Sequence, residues 1–169
     1  MDIFAHGLWS YVIFHKKKYV WLATLFGILP DSLSFGILFI IYIITGKFHR
    51  GPPPINSIPS WVYAAYNLTH SLVMFACVFL LIFMITKRWF LPLIAWAIHV
   101  LIDIPTHSFR FFPTPFLWPI SDYKFDGISW GTPWFMVLNY SSLLIVFIVI
   151  ARNRAKEKKI RQQTLKNNR

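Results

Sequence analysis

Long apolar runs, separated by short basic or proline-rich stretches, dominate the pattern of hydrophobic and polar positions along the chain. Residues 127–151 contain no Asp, Glu, Lys or Arg, and a membrane-spanning helix needs about 20 mainly apolar residues. The core of this run, residues 134–150, therefore predicts one span. Residues 51–86 lack the same four residue types, and their second half, residues 66–86, predicts another.

Three further segments are apolar but less uniform. Residues 19–45 carry a single charged side chain, Asp31, and are long enough to cross a bilayer with a tilt or a break at Pro30. Residues 89–107 predict a fourth span. Ile3–Phe14 is short, which suits either a partial span or a helix that lies in the interface. The pattern therefore predicts four to five transmembrane helices.

Composition narrows the class of protein. Of the 169 residues, 56% are hydrophobic and 14% are charged, against about 25% charged in soluble domains. Such low polarity excludes a disordered chain and leaves too little polar surface for an ordinary soluble domain. Cys77 is the only cysteine, which excludes a disulfide-stapled secreted fold. The sequence thus predicts an all-α, integral membrane helical bundle, with an outer loop over residues 108–133 that carries four prolines and two tryptophans.

The formal net charge of +11 indicates orientation in the membrane and not a nucleic-acid partner. Residues 16–18, 87–88 and 152–169 together hold 13 of the 17 Lys and Arg residues, and basic loops lie on the cytoplasmic side of membrane proteins. We therefore expect a multi-pass protein of the cell membrane, with its N-terminus outside and its C-terminus in the cytoplasm. Residues 1–151 are predicted to form the membrane-embedded bundle and residues 152–169 a basic cytoplasmic tail near anionic lipid.

Ionisable side chains within these apolar segments are few and are confined to two residue types. A charged group inside a bilayer costs roughly 2.5–3.5 kcal/mol on insertion scales and therefore marks a functional site by default. The set consists of His6, Asp31, His70, His99, Asp103 and His107. Ligation chemistry explains a set made only of His and Asp, with no Lys, Arg or Glu, whereas packing does not.

The stretch from His99 to His107 is the most informative part of this set. Asp103 follows His99 by four residues and His107 follows by eight, so that all three lie along one helical stripe. Pro105 is expected to kink the helix and redirect His107. A His/Asp/His set on one face is a plausible donor set for zinc or a similar divalent metal. Two structural alternatives remain: Asp31 as a helix N-cap, and His99 with Asp103 as a pair that joins two helices.

Several of these residues occur in motifs that resemble a known family. The motifs are His6, Pro30-Asp31, Thr69-His70-Ser71, His99-x3-Asp103-x2-Thr106-His107 and Thr114-Pro115-Phe116-Leu117-Trp118-Pro119. Together they resemble the small membrane-bound, metal-dependent hydrolases called the YdjM-like family, over about residues 3–150. That family is similar to the all-helical, zinc-dependent phospholipase C fold. The chain differs from the soluble phospholipases in lacking their further downstream His-x3-Glu pair.

The resemblance implies a ligand set and a reaction. His6, Asp31, His70, His99, Asp103 and His107 would hold one or two divalent ions, with zinc favoured. Hydrolysis by metal-activated water is the implied reaction, with Asp31 or Asp103 as the catalytic carboxylate that bridges metals or orients water. Thr69, Ser71 and Thr106 would support the histidine rings. Arg110 and Lys124 are the predicted contacts for a substrate phosphate.

These observations favour a membrane-bound metal-dependent hydrolase that cleaves a phosphoester of a lipid or lipid-linked substrate. Its expected partners are membrane lipids and a small-molecule or lipid substrate. Two alternatives remain open. One is a transporter that carries ions through the His/Asp cluster, although such proteins usually contain structural repeats. The other is a non-catalytic membrane scaffold, which needs no open coordination position.

Overall fold

A computed structural model describes residues 1–48, 51 and 53–167, and it is all-helical over that part, with 71% helix and no strand. The helices are α1 (Ile3–Phe14), α2 (Val20–Asp31), a π-helical turn (Ser32–Gly36), α3 (Ile37–Ile44), a 3-10 turn (Ile55–Ser57), α4 (Ser60–Thr69), α5 (Leu72–Thr86), a second 3-10 turn (Leu91–Leu93), α6 (Ile94–Thr106) and α7 (Pro133–Asn167). Residues 1–132 and 133–169 form two compact units. The predicted all-α class is confirmed.

Side-chain caps fix where two of these helices begin. The carboxylate of Asp2 accepts a hydrogen bond from Ala5 N at 3.0 Å and so caps α1. The hydroxyl of Ser71 accepts from Val73 N and Met74 N, both at 3.1 Å, and caps α5. These caps satisfy backbone N–H groups that have no partner within the helix.

Pro30 sets the shape of the long apolar segment between Val20 and Ile44. Proline has no N–H to donate, so one hydrogen bond of the α-helical ladder is missing at Pro30. The chain continues through the π-helical turn, where the Ser34 hydroxyl donates to the Pro30 carbonyl at 3.0 Å. Thr69 Oγ1, from α4, donates to the same carbonyl at 3.2 Å. Asp31 therefore lies at the π-helical turn of a continuous helix, and this turn is tied to α4.

The predicted number of transmembrane helices is wrong. Within the described residues, only Val20–Ile44 and Pro133–Asn167 are single helices long and apolar enough to cross a membrane, and the bent pair α4 and α5 adds a third if it counts as one span. The segment predicted over residues 66–86 is broken because Ser71 starts a new helix, which leaves α4 and α5 at 59° to each other. The chain is thus consistent with a membrane protein of two or three spans.

The other two predicted spans are too short. The helix within residues 89–107 consists of the second 3-10 turn, with 3 residues, and α6, with 13, and α1 has 12 residues. At 1.5 Å per α-helical residue and about 2.0 Å per 3-10 residue, these helices are about 25 Å and about 18 Å long, whereas the hydrocarbon core of a bilayer is about 30 Å thick. Both count as short apolar helices, below the length of the two single spans.

The ends of several helices lie close together at one end of the first unit. The first turn of α1, the last turns of α2 and α6, and the break between α4 and α5 all contribute side chains to one cluster of His and Asp residues. We call this level the ligand layer. Because α1 and α2 each have 12 residues, the ligand layer lies about 18 Å from the basic turn at residues 16–18.

The predicted outer loop closes this end of the first unit. It has no regular helix between His107 and Pro133. Its later part donates three backbone hydrogen bonds to carbonyls at the C-terminal end of α6: Gly127 N to His107 O at 2.8 Å, Ile128 N to Pro105 O at 2.9 Å and Trp130 N to Thr106 O at 3.0 Å. Its earlier part accepts from Leu72 N through the Phe116 carbonyl at 2.9 Å. The loop thus joins the ends of α5 and α6.

The second unit is one long helix, α7, of 35 residues. Its first half is apolar and its second half holds the basic residues of the predicted tail. The predicted boundary at residues 151/152 falls inside this continuous helix, and residues 168 and 169 of the predicted tail lie outside the described part.

Candidate metal centre

Four side chains of the ligand layer converge so closely that they form a possible metal site. Asp31, His70, His99 and Asp103 each offer one ligand atom, and these atoms all lie within 4.8 Å of one another. His70, His99 and Asp103 are at most 1% exposed, whereas the Asp31 side chain is 13% exposed. The cluster is therefore buried on every side but the one that Asp31 faces.

Local structure explains how each group reaches the cluster. Asp31 is the last residue of α2 before the π-helical turn, and its side chain makes no N-cap hydrogen bond to that turn. His70 lies at the break between α4 and α5. His99 and Asp103 are one turn apart on α6, as their spacing predicts. The structure therefore favours the cluster over the helix-cap interpretation of Asp31.

The distances between ligand atoms are short and similar. His70 Nε2 lies 3.3 Å from Asp31 Oδ1 and 3.5 Å from Asp103 Oδ2. His99 Nε2 lies 3.8 Å from Asp31 Oδ1 and 3.1 Å from Asp103 Oδ2. The two Nε2 atoms are 3.2 Å apart. For comparison, a tetrahedron with metal–ligand bonds of about 2.0–2.1 Å has edges of about 3.3–3.4 Å.

The hydrogen bonds of the other ring nitrogens assign the histidine tautomers. His99 Nδ1 lies 2.7 Å from the Gly27 carbonyl, and His70 Nδ1 lies 3.2 Å from the Tyr66 carbonyl. A carbonyl oxygen only accepts hydrogen bonds, so each Nδ1 must carry a proton and donate it. In a neutral ring the Nε2 atom then carries a lone pair.

Electron-rich atoms therefore face one another at the centre of the cluster. The two Nε2 lone pairs point toward each other and toward two carboxylates. Asp103 Oδ2 is buried and has no hydrogen-bond donor among the described residues. A cation at the centre would satisfy all of these atoms at once, because buried polar atoms are normally paired. Two imidazole nitrogens and two carboxylate oxygens are a donor set that suits zinc, so the residues fit the metal that the sequence predicts.

The other carboxylate oxygen of Asp103 lies in a second group of polar side chains. His6 Nε2 is 2.8 Å and His107 Nε2 is 3.4 Å from Asp103 Oδ1. The amino group of Met1 donates to the same oxygen, donates to Thr106 Oγ1 at 3.2 Å and lies 3.0 Å from His107 Nε2. Oδ1 thus has hydrogen-bond donors where Oδ2 has none. The structure supports one metal site, and the second ion stays a prediction.

All six predicted ligands lie in the ligand layer, and the predicted supporting residues lie beside them. Thr69 Oγ1 is 3.0 Å from His70 Nδ1, so Thr69 touches a ligand ring directly. Thr106 accepts a hydrogen bond from the Met1 amino group. Ser71 instead donates to the Trp118 carbonyl and caps α5, which positions the chain just after His70.

The predicted substrate contacts lie on the outer loop. Arg110 is exposed and Lys124 is partly exposed. The structure shows no hydrogen bond or ion pair between either side chain and the cluster within the described residues. Their role toward a phosphate stays a prediction.

Three contacts of the cluster were missed by the sequence analysis. The Tyr66 ring stacks on His70 with centroids 3.8 Å apart, and Tyr66 precedes His70 by four residues, a spacing that the sequence does show. The Gly27 and Phe112 carbonyls hold the Nδ1 atoms of His99 and His107. The sequence could not predict these two acceptors, because every residue has a backbone carbonyl whatever its side chain.

Comparison with known proteins found no matching family model, no similar curated protein and no similar solved structure. The resemblance to the YdjM-like hydrolases therefore stays a prediction, and a function for this chain has to be inferred from the geometry of the ligand layer.

Proposed function

We propose that this protein is a membrane-bound, metal-dependent hydrolase that cleaves a phosphoester of a lipid or lipid-linked substrate. One observation carries the proposal: the His70 and His99 Nε2 lone pairs converge with Asp31 Oδ1 and Asp103 Oδ2 at distances of 3.1–3.8 Å. A divalent cation bound there supplies activation of water for hydrolysis.

The two aspartates of the cluster have different roles in the proposed centre. Asp103 is fully buried and contacts histidines through both of its oxygens, so it holds the centre together. Asp31 is the partly exposed member of the four, and so it is the carboxylate that meets water or substrate. A catalytic centre needs such an accessible side, whereas a structural metal site is closed.

The lipid nature of the substrate is supported by the surroundings of the site. Large apolar side chains are exposed on several elements of the first unit, including Phe4, Trp21 and Ile44, which are 73–78% exposed. Exposed apolar surface of this extent marks a membrane-facing protein. We place the ligand layer in the half of the bilayer away from the basic turn at residues 16–18.

Metal analysis of the purified protein tests the centre. We expect about one equivalent of metal, with zinc favoured, in the wild type, and loss of that metal in His99→Ala and in Asp103→Asn. His15→Ala is the matched control, because His15 lies at the opposite end of α1 from the ligand layer. Helix content by circular dichroism shows whether each variant folds. A folded wild type without stoichiometric metal would overturn the proposal.

Hydrolysis assays separate a catalyst from the two alternatives. Vesicles that contain lipid phosphoesters are incubated with wild type, with His99→Ala and with wild type plus chelator. We expect hydrolysis only by the untreated wild type, restored after chelation by adding zinc. A protein that binds metal stoichiometrically but hydrolyses no phosphoester would be a scaffold or an ion transporter, and movement of metal across the vesicle membrane would identify the transporter.

A further inference from the structure

Tyr66 contacts both halves of the ligand layer although it offers no metal ligand of its own in the described cluster. It lies on α4 and is only 2% exposed. Its ring stacks on His70 at 3.8 Å, with 20° between the planes. Its hydroxyl lies 3.2 Å from His107 Nδ1. A single buried side chain therefore touches one ring on each side of Asp103.

A shared acceptor fixes the Tyr66 hydroxyl and His107 together. The Phe112 carbonyl lies 3.0 Å from the Tyr66 hydroxyl and 2.8 Å from His107 Nδ1. Because the carbonyl only accepts, both groups donate to it. His107 is thereby held with its proton on Nδ1 and its Nε2 directed toward Asp103 Oδ1, 3.4 Å away.

The backbone at Phe112 is arranged to offer this carbonyl. Phe112 has a φ of +48°, the left-handed region that a bulky residue seldom adopts and that costs free energy. Its ring is buried against Tyr63 and Tyr66, with centroids 4.7 Å and 5.2 Å apart. Packing thus holds the strained conformation that turns the carbonyl toward the two donors.

We propose that Tyr66 is a positioning residue for the metal centre, holding His70 through its ring and His107 through the Phe112 carbonyl. This inference rests on the proposed function, because the orientation of the histidine rings matters only if they bind a metal. Hydrogen-bond partners that orient ligand histidines typically change metal affinity 10–100-fold when they are removed. Tyr66→Phe removes only the hydroxyl and keeps the stacking ring, whereas Tyr66→Leu removes both.

Zinc titration of the purified variants tests the effect on ligation. We expect Tyr66→Phe to weaken zinc binding about tenfold and Tyr66→Leu to weaken it further, with unchanged stoichiometry. Tyr63→Phe is the matched control: it lies on the same helix and contacts Phe112, but its hydroxyl bonds to the Ile55 carbonyl away from the ligand layer. Zinc affinity should be unchanged in Tyr63→Phe. Equal affinities of Tyr66→Phe and wild type would overturn the inference.

Ring-nitrogen NMR of the metal-free protein gives a readout that a general loss of stability would not move. We expect the His107 signals, assigned by their absence in His107→Ala, to show the Nδ1–H tautomer in wild type and in Tyr63→Phe. In Tyr66→Phe we expect the His107 Nδ1–H signal to shift, because the Phe112 carbonyl loses one of its two donors. An unshifted His107 Nδ1–H signal in Tyr66→Phe contradicts the inference even if the protein binds no zinc. Absence of zinc binding by the wild type, in contrast, contradicts the proposed function alone.

Discussion

Gly127 is predicted to be intolerant of even the smallest side chain. An added Cβ would lie 2.3 Å from the Pro105 carbonyl oxygen and 2.7 Å from the His107 carbonyl oxygen. Both neighbours are backbone atoms at the end of α6, so neither can rotate away. The Gly127→Ala change must therefore push the outer loop off the helix end.

The size of the effect follows from the hydrogen bonds that this segment makes. Gly127, Ile128 and Trp130 donate to the carbonyls of the last two residues of α6 and of its C-cap, His107, which have no partner inside the helix. Each such bond contributes about 1 kcal/mol net. Loss of two or three of them predicts that Gly127→Ala lowers the free energy of unfolding by about 2–3 kcal/mol.

Denaturant unfolding in detergent micelles, followed by circular dichroism, measures this change. Gly131→Ala is the matched control, because an added Cβ there would meet only the Ser129 hydroxyl, at 4.0 Å. We expect the control to stay within about 0.5 kcal/mol of wild type, as surface substitutions usually do. If Gly127→Ala were as stable as Gly131→Ala, the close packing of the loop on α6 would be wrong.

Two further outcomes are expected from the packing and the metal centre. An added Cβ at Gly27 would lie 1.9 Å from the Ser10 hydroxyl. Gly27→Ala should therefore destabilise the protein by about 1–3 kcal/mol. The double variant Gly27→Ala with Ser10→Gly should recover part of that loss in the same unfolding assay. Zinc at 100 times its Kd should raise the free energy of unfolding of the wild type by about 2.7 kcal/mol. This gain should shrink as the pH falls, because the ligand nitrogens must be unprotonated to bind the metal. A gain of the same size in His99→Ala would contradict the assigned site.

The site was predictable from the sequence where local spacing decides the geometry. His99 and Asp103 are one helical turn apart, and their side chains meet at 3.1 Å. The arrival of Asp31 and His70 beside them depends on how α2 and α4 pack, which spacing cannot give. Their restriction to apolar segments nevertheless marked them as candidates, because buried ionisable groups are costly there.

The predicted number of transmembrane helices was wrong because hydropathy does not show where helices begin and end. An apolar run shows that residues avoid water, but not where a helix within that run begins or ends. Ser71 illustrates this: its hydroxyl starts α5 in the middle of the run predicted as one span. Phe112 illustrates a second limit of sequence-based prediction. Its left-handed backbone follows from tertiary packing, and the residue type gives no indication of it.

The shortness of α1 and α6 has a consequence for the surrounding lipid. Both helices carry exposed apolar side chains, such as Phe4, Leu8 and Leu101, yet both are shorter than a typical hydrocarbon core of about 30 Å. Such hydrophobic mismatch is relieved when the bilayer thins beside the short segments. Thinning beside these helices brings the headgroup region closer to the level of Asp31 and His6, and so shortens the distance between lipid headgroups and the cluster.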